Sequence, residues 1–117
     1  MIKLFIRAHD LGIKGEENIA ARLGELGLDG VQLVAYKCLD GIAYTPGSVT
    51  AERASAFRET FEKAGKTVQL IGAYFNPVHP DEAKIKNGIA VFKDYISLAK
   101  EFGCDRVGSE TGYACST

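Results

Sequence analysis

The sequence lacks the short motifs that identify common nucleotide-binding and zinc-binding domains. No GxGxxG or GxxxxGK(S/T) element follows a hydrophobic run, and no acidic cluster has the pattern of a phospho-acceptor domain. The three cysteines, Cys38, Cys104 and Cys115, show no CxxC spacing, which favours reduced thiols over a disulfide framework or a zinc site. Reduced thiols are typical of a cytoplasmic protein, and the cytoplasm is the location we expect.

An excess of charge of one sign and long hydrophobic runs are also missing. Fourteen basic residues stand against fifteen acidic ones, and no Lys/Arg cluster is present, so we expect no nucleic-acid or anionic-membrane partner. No run reaches the ~20 apolar residues of a membrane span. The apolar start also lacks the adjoining cleavage site of a signal peptide. The 117 residues, 46% hydrophobic and 25% charged, have the composition of a chain that folds around one core.

The most informative stretch that is present is Thr67–Asp81, TVQLIGAYFNPVHPD. Its first half is apolar and β-branched and predicts a strand at residues 68–75 that is buried on both faces of a sheet. Its second half holds two prolines, which stop strand pairing, together with an amide, an imidazole and a carboxylate. In parallel α/β proteins, ligands bind at the carboxyl ends of strands, where loops vary while the sheet holds them still. We therefore expect a binding site directly after this strand.

Strands and helices alternate along the chain. Strands are predicted at residues 2–6, 30–34, 68–75 and 106–109. Helices are predicted between them, from Glu16 to a Gly27 cap, from a Thr50 cap to Gly65, and from the Asp81 turn to Gly103.

Two further features accompany this alternation. The last helix has the most regular apolar stripe in the chain, which we expect to be its buried face: Ile85, Ile89, Phe92, Ile96 and Ala99. The loop at residues 35–49 is longer than a usual strand-to-helix connection, so we expect it to cover or to line a site.

Strict alternation of strand and helix predicts a parallel sheet with right-handed crossovers. Eight such units make a barrel of ~250 residues. We therefore interpret residues 1–117 as an α/β partial barrel, the amino-terminal half of a (βα)8 barrel with about four parallel strands and three helices, in the order β-α-β-α-β-α-β. An open, doubly wound sheet is the alternative. A half-barrel leaves two strand edges and an apolar sheet face uncovered, so we expect a homo-oligomer.

Two segments resemble one known family. The stretch IGAYFNPVHPD and the later stretch DYISLAKEFGCDRVGSETG are similar to the sugar phosphate isomerase/epimerase family, whose members have the xylose isomerase-like TIM barrel also seen in endonuclease IV-type enzymes. The resemblance extends over nearly all of residues 1–112, although the first two units agree in pattern more than in residues. It implies a sugar or sugar phosphate as the small-molecule partner. It also implies a divalent metal ion (Mn, Mg, Zn or Co), with its ligands mostly on strands beyond this chain.

The implied reaction suggests one catalytic candidate. Moving a carbonyl along a sugar, or inverting the carbon beside it, requires removing a weakly acidic C–H proton and returning it elsewhere. A carboxylate on each face of the sugar can serve as base and acid, and a cation can stabilise the enediolate. Glu110 follows the fourth predicted strand, where a catalytic residue of a barrel belongs. The alternative is a carboxylate that pairs with a neighbouring Arg or Lys or caps the following helix.

Four further residues are candidates for substrate binding. His79 and Asn76 belong to the turn after the third strand, Tyr74 ends that strand, and His9 ends the first. Their imidazole, amide and aromatic groups suit sugar hydroxyls, although each is also a common turn or rim residue. Lys37 is a weak candidate for a Schiff base, because nothing in the sequence marks its surroundings as desolvating. The imidazole of His79 also suits a metal ion, but the sequence does not identify a set of metal ligands.

Three functions are therefore open at the level of sequence. The first is a sugar isomerase or epimerase whose pocket is complete only when the other half of the barrel is present. The second is a metal-dependent phosphodiesterase of the endonuclease IV type, against which the two histidines and the balanced charge argue. The third is a non-catalytic half-barrel that self-assembles or binds a partner.

Overall fold

A computed structural model describes residues 2–113, which form one parallel four-stranded sheet in the order β1-β2-β3-β4, with helices on one face. The elements are β1 Phe5–Arg7, α1 Glu16–Leu26, β2 Gly30–Leu33, α2 Ala35–Cys38, α3 Ala51–Lys63, β3 Thr67–Gly72, α4 Glu82–Phe102 and β4 Val107–Gly108, with a 3-10 helix at Ala8–Leu11 after β1. This α/β architecture is that of half of a TIM barrel, as predicted.

The structure corrects the number of helices and the length of the strands. The three predicted helices are α1, α3 and α4, and α2 is a fourth, short helix inside the loop predicted at residues 35–49. Strand β1 begins at Phe5, and Ile2 is 84% exposed because no described strand or helix covers it. Strand β3 ends at Gly72, three residues earlier than predicted, and residues 73–75 lead into the turn that carries the candidate site.

The helix ends follow local sequence signals. The Thr50 hydroxyl accepts the Arg53 N–H at 3.1 Å at the start of α3, and the Asp81 carboxylate accepts the Ala83 N–H at 2.9 Å at the start of α4. Gly27 ends α1 in the left-handed conformation, which a glycine adopts without a steric penalty. The Thr50 and Asp81 caps thus fix the residues at which α3 and α4 begin.

The core lies between the sheet and the helices. Val31, Leu33 and Ile71 point from the sheet toward the helices and are fully buried. Phe57 of α3 packs edge-on against Phe102 of α4, with ring centroids 5.6 Å apart. This layer holds the sheet rigid, and so fixes where its carboxyl ends lie.

The prediction of which apolar stripe forms the buried face of α4 is wrong: the buried stripe is displaced by about one residue along the helix. The buried face consists of Gly88, Val91, Tyr95, Ala99 and Phe102. From the predicted stripe, Ala99 is buried, whereas Ile89 is 41% and Ile96 is 53% exposed. The two stripes are adjacent on the helix surface, and only tertiary packing decides which of them meets the sheet.

The sheet face opposite the helices is mixed in character, not apolar as predicted. Arg7, Gln32 and Leu70 occupy neighbouring positions of the paired strands, so their side chains share this face.

None of the helices formed by residues 2–113 combines the length and the apolar character needed to cross a bilayer.

Candidate functional site

Two adjoining pockets lie at the carboxyl ends of the strands. The first, which we call the Asn-His pocket, has a volume of about 560 Å³, and its lining includes Tyr74, Asn76, His79, Asn87 and Glu110. The second, the Arg-Lys pocket, has a volume of about 550 Å³ and is lined by Arg7, Tyr36, Lys37, Tyr44, Tyr74 and Glu110. Tyr44, Tyr74 and Glu110 line both pockets, which therefore form one continuous mouth.

Glu110 is the carboxylate shared by the two pockets. It lies two residues beyond the end of β4, and its side chain is exposed to the mouth. Within residues 2–113 it forms no ion pair, so the alternative of a carboxylate bound to a nearby Arg or Lys is not observed. Tyr44 lines both pockets together with Glu110, and burial and then the negative charge of Glu110 raise the pKa of its phenol.

His79 is held in a defined orientation by its own turn. Its Nδ1 accepts the backbone N–H of Asp81 at 2.9 Å. The neutral ring therefore carries its hydrogen on Nε2, and it acts as a hydrogen-bond donor. Because His79 lines the Asn-His pocket, this donor is suited to a hydroxyl or carbonyl oxygen of a ligand.

Asn76 ties two loops of the site together. Its residue surface is 8% exposed, and its Nδ2 donates to the Tyr113 carbonyl at 2.8 Å. Its Oδ1 accepts the N–H groups of Val78 and Tyr113, each at 3.2 Å. The amide thus joins the turn after β3 to the segment after β4, and one Nδ2 hydrogen is left for a ligand.

Tyrosine rings form the apolar walls. The Tyr74 ring covers Gly72 so closely that a Cβ at residue 72 would lie 2.4 Å from the ring. The Tyr44 hydroxyl donates to the Tyr74 carbonyl at 3.2 Å, and the Tyr36 and Tyr44 rings meet edge to face at 4.8 Å. Burial raises the pKa of both Tyr36 and Tyr44, so both stay protonated at neutral pH.

The structure places His9 beside the Arg-Lys pocket and not among its lining residues. Burial and then the positive charge of Lys37 lower the pKa of the His9 imidazole. The negative charge of Asp10 raises that pKa, and the positive charge of Arg7 lowers it further. The ring is therefore neutral at pH 7. Its Nδ1 is buried and has no hydrogen-bond partner within residues 2–113. A role for His9 in substrate binding stays a prediction.

Several residues that line the mouth are not among the candidates predicted from the sequence. Lys84 and Asn87 are one turn apart at the start of α4, and the Asn87 side chain donates to the Tyr44 carbonyl at 3.1 Å. Their i, i+3 spacing directly after the Asp81 cap was the available signal. Arg7 ends β1, one residue beyond the first predicted strand, and it lines the Arg-Lys pocket.

One protein-family model matches most of the chain. It is described as the xylose isomerase-like TIM barrel, and it aligns with residues 20–116. The chain belongs to the xylose isomerase-like TIM barrel family. The predicted family and the predicted partial barrel are thereby confirmed. A comparison with curated protein sequences finds no significant match.

Proteins of the xylose isomerase-like superfamily often use divalent metals, which are held by clusters of carboxylate and imidazole side chains. No group of three or more His, Cys, Asp or Glu side chains within residues 2–113 is arranged to hold an ion. His79 is also unsuited as a ligand in its present orientation, because Nδ1 accepts a hydrogen bond and Nε2 carries the hydrogen. The described residues therefore do not fit a metal on their own.

Proposed function

We propose that the mouth binds a sugar or a sugar phosphate and catalyses aldose–ketose isomerisation or epimerisation by proton transfer. The observation that carries this proposal is Glu110, a carboxylate without an ion-pair partner among residues 2–113 that lines both pockets. It shares the Asn-His pocket with neutral hydrogen-bond donors and tyrosine rings, and the Arg-Lys pocket with two cationic side chains. Such an arrangement suits a polyhydroxylated ligand that has to lose a proton from carbon.

The donors would orient the substrate. The free Nδ2 hydrogen of Asn76, the Nε2 hydrogen of His79 and the amide of Asn87 are available to hydroxyl and carbonyl oxygens. The Tyr74 ring provides a wall for the C–H face of the sugar. Binding of this kind would present one carbon beside the carbonyl to Glu110.

Glu110 would act as the general base. Its carboxylate removes the proton from the carbon beside the carbonyl, and the electron pair of that C–H bond forms the enediolate, with the negative charge on the former carbonyl oxygen. A proton then moves from the neighbouring hydroxyl to the former carbonyl oxygen. Return of the first proton to the former carbonyl carbon leaves the carbonyl at the neighbouring position and completes isomerisation. Return to the original carbon from the opposite face inverts that carbon, and this step needs a second acid.

The Arg-Lys pocket suits the phosphate of a phosphorylated substrate. Asp10 accepts only the Nε hydrogen of Arg7, at 2.8 Å, so the terminal nitrogens of the guanidinium are available to an anion. Lys37 lines the same pocket and forms no ion pair with another described residue. Its exposed ammonium supports a role in anion binding more than a Schiff base.

Proton exchange with solvent tests the proposal directly. The protein is incubated in D2O with a panel of aldoses, ketoses and their phosphates, and loss of the proton signal beside the carbonyl is followed by NMR. Glu110→Gln is expected to lower the exchange rate by about 10²–10⁴-fold, the usual contribution of a general base. Asp105→Asn is the matched control, since it removes one carboxylate charge at the opposite end of β4.

The proposal fails if no compound in the panel exchanges, or if the Glu110→Gln protein exchanges as fast as wild type. An exchange rate that falls equally in the Asp105→Asn protein would assign the effect to charge or stability and not to the base.

A further inference from the structure

We propose that Asp94 of α4 is a positioning residue for the mouth, because it holds Tyr44 in place as the common wall of the two pockets. Asp94 itself lines neither pocket. It acts through residues 39–49, the segment between α2 and α3, which we call the Tyr44 loop. The effect of Asp94 on substrate rests on the proposed function, whereas its hold on Tyr44 does not.

The Tyr44 loop has little internal structure to fix its shape. It contains no strand or helix, and two glycines with a φ of 78°, Gly41 and Gly47, lie on either side of Tyr44. A Cβ added at either glycine would meet nothing within 4 Å. Glycine also has more backbone freedom than any other residue. The position of Tyr44 therefore depends on contacts between the loop and the rest of the chain.

Among the described residues, three hydrogen bonds join the Tyr44 loop to α4 and to the segment after β3. The Asp94 carboxylate accepts the Gly47 N–H at 2.6 Å. The Asn87 side chain donates to the Tyr44 carbonyl at 3.1 Å, and the Tyr44 hydroxyl donates to the Tyr74 carbonyl at 3.2 Å. The bond to Asp94 is the shortest of the three and the only one with an ionised acceptor. Such bonds are about twice as strong as neutral ones, so Asp94 should contribute most to holding the loop.

The hold at Gly47 reaches Tyr44 through a short closed segment. The Ser48 hydroxyl accepts the Ala43 N–H at 2.7 Å. This bond closes residues 43–48 into one turn, with Tyr44 near its start and Gly47 near its end. Only two residues separate Tyr44 from Gly47, so a displacement of Gly47 would displace Tyr44 as well.

Tyr44 lies between two pockets of different chemistry. Together with Tyr74 and Glu110 it lines both, and its ring meets the Tyr36 ring edge to face at 4.8 Å. The Asn-His pocket offers neutral donors, whereas the Arg-Lys pocket offers two cations. A ligand with hydroxyls and an anionic group is thus directed into one orientation beside Glu110 while Tyr44 stays in place. Release of the loop would remove this wall and weaken binding without changing the base.

Two variants of Asp94 separate the hydrogen bond from the charge. Asp94→Ala removes the acceptor, whereas Asp94→Asn removes the charge but keeps an oxygen that can accept the Gly47 N–H. We expect hydrogen exchange at the Gly47 N–H, measured by NMR, to become about tenfold faster in Asp94→Ala and to change much less in Asp94→Asn. In protein labelled with 3-fluorotyrosine, the ¹⁹F signals of Tyr44 and Tyr36 should move in Asp94→Ala and stay near their wild-type positions in Asp94→Asn.

Circular dichroism should show that both variants are folded. Unchanged Gly47 exchange and an unchanged Tyr44 signal in the Asp94→Ala protein overturn the proposal. Loss of folding in that variant also overturns it, because Asp94 would then support the whole fold and not the position of Tyr44.

The effect on substrate is tested by saturation curves of proton exchange in D2O. Asp94→Ala should raise KM by up to about tenfold and leave kcat within about twofold of wild type, because saturating substrate selects the chains whose loop is in place. Asp94→Asn should have a KM close to that of wild type. An equal rise of KM in both variants, or a fall in kcat with KM unchanged, overturns the positioning role. If wild-type protein exchanges no proton with any compound, the proposed function and the effect on substrate both fail, while the Gly47 and Tyr44 measurements still decide whether Asp94 holds the loop.

Discussion

Two helical glycines offer a matched pair for testing how α4 is held against the sheet. Gly88 is on the buried face of α4, and a Cβ added there would lie 2.3 Å from Cγ and 2.6 Å from Cβ of Phe75. Gly24 is in α1, and a Cβ added there would meet nothing within 4 Å. The substitution to alanine is the same at both positions, and only the surroundings differ.

The expected effects have opposite signs. Alanine stabilises a helix over glycine by about 0.5–1 kcal/mol, and Gly24→Ala should gain that amount. In Gly88→Ala the same gain is set against overpacking, which costs about 1–3 kcal/mol. The atoms in the way belong to the base of the Phe75 side chain, so rotation of the ring cannot relieve the clash. We expect a net loss of about 1 kcal/mol, which lowers the Tm of a domain of this size by about 4 °C.

The assay is urea unfolding followed by circular dichroism, with all proteins at one concentration because self-association would shift apparent stability. Since Phe75 also lines the Asn-His pocket, Gly88→Ala should weaken ligand binding there while Gly24→Ala should not. If Gly88→Ala stabilised the protein as much as Gly24→Ala, the close approach of α4 to Phe75, and the reasoning built on it, would be refuted.

Three further outcomes are expected. The carboxylate oxygens of Glu16 accept guanidinium hydrogens of Arg53 at 2.5 and 2.8 Å. Arg53→Ala removes both hydrogen bonds and should lower the free energy of unfolding in urea by about 1–3 kcal/mol. Burial alone would raise the pKa of Glu16, but the hydrogen bonds from Arg53 outweigh burial and lower that pKa below its usual value of 4.5. The stabilisation by the Glu16–Arg53 pair is therefore fully present above pH 4.5, and it is lost as the pH falls through the lowered pKa of Glu16. Asn76→Ala should speed hydrogen exchange at the Tyr113 N–H, measured by NMR, and equal protection would contradict the loop connection. Burial raises the pKa of Cys38 from 9.0 to about 12. At pH 8 its thiolate fraction should therefore be about a thousandfold below the thiolate fraction of an unperturbed thiol, and its rate of alkylation, measured by mass spectrometry, should be lower by the same factor.

Features that depend on neighbouring residues could be predicted from the sequence. The Thr50 and Asp81 caps and the Gly27 helix end involve groups within a few residues of one another, and the structure has them where the sequence placed them. The parallel sheet followed from the regular alternation of strand and helix, because parallel strands require a crossover between them. The same logic placed Glu110 at the carboxyl end of the sheet, and it lines the mouth there.

Features that depend on distant residues could not be predicted in this way. The two apolar stripes of α4 are both periodic, and contact with the sheet and α3 decides that Val91 and Tyr95 are buried while Ile89 and Ile96 are exposed. The hydrogen bond of the Asn76 side-chain amide also could not be predicted from neighbouring residues, because its partner, Tyr113, lies 37 residues away in the sequence.

The sequence by itself determined the order of the elements, the caps, the family and the end of the sheet at which a ligand would bind, since these follow from local preferences and chain direction. Only the tertiary structure decided which side chains meet at that end. It joined Arg7 and Glu110 in one mouth and set His9 beside it, and it exposed the isoleucine flank of α4. The physical reason is that burial and charge proximity are properties of packing between segments that the chain brings together only on folding.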